Sequence, residues 1–177
     1  MAAISLHTAS VSVLSRFLRN LTHLLTKAQA DVAKRGYDEQ ALLQFRLSPD
    51  MHPLRGQIFY ACDISQAAVS RMAGLKVSLA PHSENTLAEL VALIERTLAW
   101  LDAVPAASLD GREAHPIEWV GGDGNTRRMP ALDYALYWTV PNVMFHVTTS
   151  YNILRHNGVV LGKLDFLNGQ RADPRVT

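Results

Sequence analysis

Pro141-Asn142-Val143-Met144-Phe145-His146-Val147-Thr148-Thr149-Ser150-Tyr151-Asn152-Ile153-Leu154-Arg155-His156-Asn157-Gly158 is the stretch that decides the fold. Val140, Met144, Val147, Tyr151 and Leu154 recur every three or four residues, so a helix stacks them on one side as a core strip. Asn142, His146, Thr149 and Ser150 share a second, polar face, continued by Ile153. A helix that is apolar on most sides is surrounded by protein, and its polar strip must find partners or line a cavity. That makes it a member of a helical bundle. It is expected to run from about Leu132 to about Asn157, with Gly158 as its C-cap. Pro141 either kinks it or opens a second segment.

Upstream, Pro116-Ile117-Glu118-Trp119-Val120 and Thr126-Arg127-Arg128-Met129 flank Gly121-Gly122-Asp123-Gly124-Asn125, which reads as a β-hairpin at about 115–130. Three more helices precede it. Leu14, Phe17, Leu21, Leu24 and Ala28 mark a helix from about 5 to 35, capped by Ser5 or Thr8 and stopped by Gly36. Leu54, Ile58, Ala61, Ser65, Ala68 and Met72 mark a second, with Asp50 as the expected cap and Gly74 as the stop. Leu87, Leu90, Ile94, Leu98 and Leu101 mark a third, starting after Ser83 or Asn85 and closed by Pro105. A helical turn is expected at Glu39–Leu43, and another at Leu164–Leu167 that docks back on the bundle. The fold class is therefore mostly α: a four-helix bundle in a single domain over 1–177, with a short hairpin before the last long helix.

Composition narrows the functions. The chain has 177 residues, 48% of them hydrophobic and 19% charged, enough for a continuous core without staples. A formal net charge of +1 favours neither nucleic acid nor anionic lipid as a partner. Cys62 is the only cysteine, which excludes an internal disulfide and a cysteine-rich zinc site. The absence of a secretory pattern or a bilayer-length apolar run points to a cytoplasmic protein with no membrane contact.

The candidate site lies on the polar strip of the last helix and the start of the second. Gln57, Asn142, His146, Ser150 and Tyr151 are the expected ligand-binding residues. His52 and His146 are the candidate metal ligands, since histidines from two helices can meet inside a bundle. Zinc or nickel would need a third protein ligand, and spacing supplies none: Ser150 stands where a second histidine would complete H-x-x-x-H. The bland readings are an interior hydrogen-bonded His146 and a helix-entry His52 held by Pro53. His7, His23, His82, His115 and His156 carry no pairing signal in sequence, and no nucleophile elbow surrounds any serine.

Two segments carry a resemblance. One is Arg46-Leu47-Ser48-Pro49-Asp50-Met51-His52-Pro53-Leu54 with Gln57 and Ala61-Cys62-Asp63. The other is Pro141 to Gly158, running on to Gly162-Lys163-Leu164-Asp165-Phe166-Leu167. Together they resemble an uncharacterised bacterial domain-of-unknown-function family among the DinB/YfiT-like four-helix bundles, a group associated with metalloenzymes. The resemblance implies an up-down-down-up bundle, commonly a homodimer. It also implies a three-histidine metal site, with one ligand on the second helix and an H-x-x-x-H pair on the last. His146 matches the first of that pair; Ser150 departs from the second. The function expected is a small-molecule pocket lined by the last helix. The alternatives are a DinB-like metal-dependent enzyme (hydrolase or thiol transferase) and a non-catalytic dimeric interaction module.

Overall fold

Helix α1 (Val13–Arg35) begins the bundle, entered through a wide π turn at Thr8–Ser12. Ser5 caps this entry, its hydroxyl accepting the Thr8 N–H at 3.2 Å. At the far end Gly36 adopts φ 68°, the left-handed conformation that only glycine enters without steric cost, and its N–H closes on Val32. These observations come from a computed structural model that describes residues 4–168.

A single turn, α2 (Gln40–Leu43), leads to α3 (Leu54–Ala73), which ends at Gly74 with φ 71°. All six residues of the anticipated α3 stripe, Leu54 through Met72, are buried. Asp50 does not cap α3. Pro53 occupies the N-cap in an extended conformation, and Asp50 instead accepts the Ser48 hydroxyl at 2.6 Å within the preceding turn. Pro53 has no side-chain acceptor, and the first N–H of the helix, that of Leu54, is met instead by the Phe45 carbonyl at 2.9 Å.

Helix α4 (Leu87–Asp102) is capped one residue after Asn85 and three after Ser83, its expected caps. Thr86 is the N-cap: its hydroxyl accepts Glu89 N–H at 3.1 Å while the Glu89 carboxylate accepts Thr86 N–H at 3.0 Å. This reciprocal capping box was present in the sequence as Thr86-x-x-Glu89.

The hairpin pairs β1 (Pro116–Val120) with β2 (Thr126–Pro130), Glu118 opposite Arg128. Ile117 and Trp119 face the bundle and are buried. From the hairpin the chain enters α5 (Ala131–Asp133), then a second π turn at Tyr134–Thr139, then α6 (Val140–His156) with Pro141 in its first turn. In a regular helix the Pro141 ring would collide with the carbonyl one turn earlier and leave it unbonded. The wide turn just before it absorbs that mismatch. Helix α7 (Lys163–Asn168) returns along α1, where Phe166 meets the Phe17 ring at 5.9 Å and Asn20 Nδ2 donates to the Phe166 carbonyl at 2.8 Å.

Specific contacts fix the topology. Arg35 donates to the Asn157 carbonyl, joining the C-termini of α1 and α6, so those helices run parallel. Arg71, near the end of α3, reaches Tyr134 before the start of α6, so α3 and α6 run antiparallel. Arg55 near the start of α3 reaches Asn85 at the start of α4, so these two run the same way. Arg19 near the start of α1 pairs with Asp102 at the end of α4. The order is up-down-down-up, with α1 and α3 each packed between α4 and α6.

Candidate functional site

On α6, both strips reach the interior. His146, Thr149, Ser150 and Ile153 of the polar strip are buried, as are Val147 and Leu154 of the core strip, whereas Asn142, Val140, Met144 and Tyr151 are only half-buried. The polar strip lies along the extensive α3–α6 contact.

The centre of this contact is a hydrogen-bonded relay. Gln57, 1% exposed, donates its Nε2 to the His52 carbonyl at 2.8 Å, which turns its Oε1 toward α6. That oxygen lies 2.7 Å from His146 Nδ1. An amide oxygen can only accept, so Nδ1 carries the proton and the neutral ring keeps its lone pair on Nε2. Nε2 makes no hydrogen bond among the described residues. Burial, with the charge of His52 in support, holds the His146 imidazole at about 4, well below its ordinary 6.5. At neutral pH His146 is thus an uncharged acceptor and a weak base.

Aromatic rings frame it. Tyr60, three residues after Gln57 and 41% exposed, stacks on the imidazole at 5.3 Å with 15° between planes. His52 meets the other side of this array, 4.5 Å from the Tyr60 ring. Phe145, 53% exposed, contributes an edge contact at 5.4 Å. His52 itself is held at the surface by the turn before α3, which is closed by Arg46 donating to the Met51 carbonyl and by Leu54 N–H bonding Phe45 O at 2.9 Å.

The five expected binding residues are therefore not one cluster. Gln57 and His146 bond directly. Asn142 lies one turn before His146, half-buried. Ser150 spends its hydroxyl on the His146 carbonyl at 2.9 Å within its own helix, so it holds backbone rather than facing open space. Tyr151 turns toward α7, meeting Phe166 at 6.0 Å. Tyr60 was missing from the expected set. Its only sequence signal was an aromatic one turn after Gln57, and the partner that gives it meaning lies on another helix.

The relatives of this architecture come into view with the site. The family described as "Domain of unknown function (DUF1993)" matches residues 6–167. The chain belongs to that family. It is also similar, at 32% identity, to a solved DinB family member protein from Shewanella denitrificans, with a TM-score of 0.84 over 95% of this chain and 94% of that one. No curated protein matches it.

The three-histidine metal site implied by the DinB resemblance does not fit this member of the family. Among the described residues no group of three or more histidine, cysteine or acidic side chains converges on one point. His52 and His146 remain the only candidate pair, and the Ser150 hydroxyl is turned into its own helix. Two imidazoles are short of the three protein ligands that even an open zinc site takes.

His82, without any pairing signal in sequence, has as many partners as His146. It lies in the strap between α3 and α4. Its Nε2–H donates to Asp63 Oδ2 at 2.9 Å, its Nδ1 stands 3.5 Å from Glu84 Oε2, and its ring stacks on Phe59 at 4.1 Å with 1° between planes. Partners 19 residues apart, on a helix and a loop, leave no periodic trace. Cys62, next to Asp63, is buried and burial pushes its thiol up to about 12, so it is an inert core residue.

Proposed function

We propose that this protein binds a small neutral molecule where α3 meets α6, with His146 Nε2 accepting an N–H or O–H from it. One observation carries the reading: the Gln57–His146 bond fixes the tautomer, leaving an unspent lone pair on a histidine that burial keeps uncharged. Such an acceptor suits recognition of a donor more than proton abstraction at neutral pH, because a general base works best with a pKa near the working pH. Tyr60 and Phe145 supply exposed apolar surface beside it, and Asn142 a polar group one turn away. A mostly apolar site with a few placed polar groups is the common pattern for small-molecule recognition. A homodimer in the bacterial cytoplasm belongs to the same proposal; it rests on the family resemblance, and sedimentation of the purified protein tests it.

The experiment is a thermal-shift screen of small neutral compounds bearing N–H or O–H donors. Hits are expected to lose their effect in His146→Ala and to shift the His146 ring nitrogens in ¹⁵N spectra. If no hit depends on His146, while zinc or nickel binds stoichiometrically and is lost in His146→Ala, the metal-dependent alternative replaces this reading.

A further inference from the structure

The opposite flank of α3 carries a cleft of about 370 Å³ between α3, α4 and the strap. Its volume lies within the range of small-molecule pockets. Cys62 forms part of its lining as an uncharged thiol. Leu93 and Trp100, seven residues apart and so on one face of α4, give it an apolar wall.

The polar capacity of the lining is unevenly spent. Glu84 uses both oxygens: Oε1 accepts Arg96 Nη2 at 2.7 Å and Oε2 accepts the Ser83 N–H at 3.1 Å. Arg96 is thereby committed, and its side chain is more than half exposed. Asp63 uses only Oδ2, for His82; its Oδ1 accepts no hydrogen bond among the described residues. Gln66, half-buried beside it, makes none either. With Arg96 paired to Glu84, what the cleft offers a ligand is the unbonded Oδ1 of the Asp63 carboxylate and not a free cation. Trp100 in the lining adds an aromatic ring that favours a cation over an anion. An anion would have to compete with Glu84 for Arg96 and meet Asp63 uncompensated.

We propose that this cleft is a second binding site, for a small primary ammonium compound whose N–H groups donate to Asp63 and Gln66 and whose hydrocarbon chain lies on Trp100 and Leu93. It is independent of the His146 site, which lies on the α6 side of α3. Asp63 is offered as a binding residue and His82 as the group that holds its carboxylate in place.

Butylammonium is the probe, with 1-butanol and butyrate as neutral and anionic counterparts of similar length. Titration of ¹⁵N-labelled protein is expected to give saturable shifts for butylammonium at amides of residues 62–66 and 93–100, and none around His146. Asp63→Asn keeps an oxygen for His82 to donate to but removes the charge. It is expected to weaken butylammonium about tenfold, the size of one charge-assisted hydrogen bond. Trp100→Leu is expected to weaken it several-fold. Equal affinity in Asp63→Asn, tighter binding of butyrate, or no saturable shift with butylammonium overturns the proposal. Should Asp63→Asn fail to fold, unchanged affinity in Trp100→Leu overturns it instead.

Discussion

Helix α3 presents two consecutive aromatic residues to two different histidines, and the two arrangements behave in opposite ways. Tyr60 stacks on His146, whose bonded partner is the neutral amide of Gln57. Phe59 stacks on His82, whose ring nitrogens face the carboxylates of Asp63 and Glu84. On the first side a buried ring is kept uncharged and one nitrogen is left unspent. On the second the ring is bonded through Nε2 to Asp63 with Nδ1 3.5 Å from Glu84, and the histidine acts as a buckle fastening the strap to α3. Burial raises the Glu84 carboxyl, but its own and the Ser83 N–H, with Arg96 and His82, outweigh that and hold it below the usual range. The same side chain on the same helix becomes a recognition group or a fastening according to whether its neighbours are neutral or charged.

The strongest way to break the contrast is Gln57→Leu. It leaves the His146 Nδ1–H and the His52 carbonyl without their partner, in a site with little access to water. A loss of about 2–3 kcal/mol in urea unfolding is expected, together with loss of the fixed tautomer in ¹⁵N spectra. A loss under about 0.5 kcal/mol would mean that the relay is incidental.

Next in size is the pH dependence. His146 has a folded value near 4 against 6.5 unfolded, so between those values the unfolded chain binds more protons. The His146 contribution is therefore fully present above pH 6.5 and is lost as pH falls through that window toward 4. With partial solvent screening allowed for, the loss is on the order of 2 kcal/mol. Denaturation midpoints measured from pH 7.5 to 4 are expected to fall less in His146→Gln than in the parent. Parallel curves would refute the assignment.

Glu84→Ala probes the other flank. Removing the carboxylate that gathers Arg96, Ser83 and His82 is expected to cost about 1 kcal/mol. Hydrogen exchange should quicken across residues 75–86 and not around His146. Equal quickening at both places would show that the flanks are one cooperative unit. The smallest effect is expected of Tyr60→Leu: about 0.5–1 kcal/mol for the lost ring contact, with the His146 titration moving up toward 6.5 as water gains access. A titration that stays near 4 would assign the shift to the surrounding helices instead of Tyr60.

Much of this architecture is written in local pattern. The α3 stripe from Leu54 to Met72, the glycine stops at Gly36 and Gly74, and the hairpin around Gly121–Asn125 all follow from spacing or from backbone geometry that one residue type favours. Where the expectation slipped, a local competitor won. Pro53 displaced Asp50 as the start of α3, and the Thr86–Glu89 pair outweighed Ser83 and Asn85 at α4. In the site, His146 was legible as part of a polar strip on a helix that is otherwise apolar, and Gln57 as a polar residue near the start of α3. Tyr60, Asp63 and His82 were not, because their roles depend on which helix lies across from them, and periodicity carries no information about that. Ser150 and Tyr151 show the converse limit. Sharing a helix with His146 is visible in sequence; which neighbour each one turns to is not.

The wide turn at Tyr134–Thr139 amounts to one residue more than a regular helix would hold over the same length. Each residue advances a helix by about 100° around its axis. The turn takes up that extra 100° within its own bulge, so the helix after it keeps the azimuth of a regular one and His146 stays in line with Gln57. Deleting one residue between the turn and His146, where no bulge absorbs the change, would swing the ring by about a quarter-turn, away from Gln57. The wide turn is thus a place where the chain can lose a residue without moving the histidine two turns later.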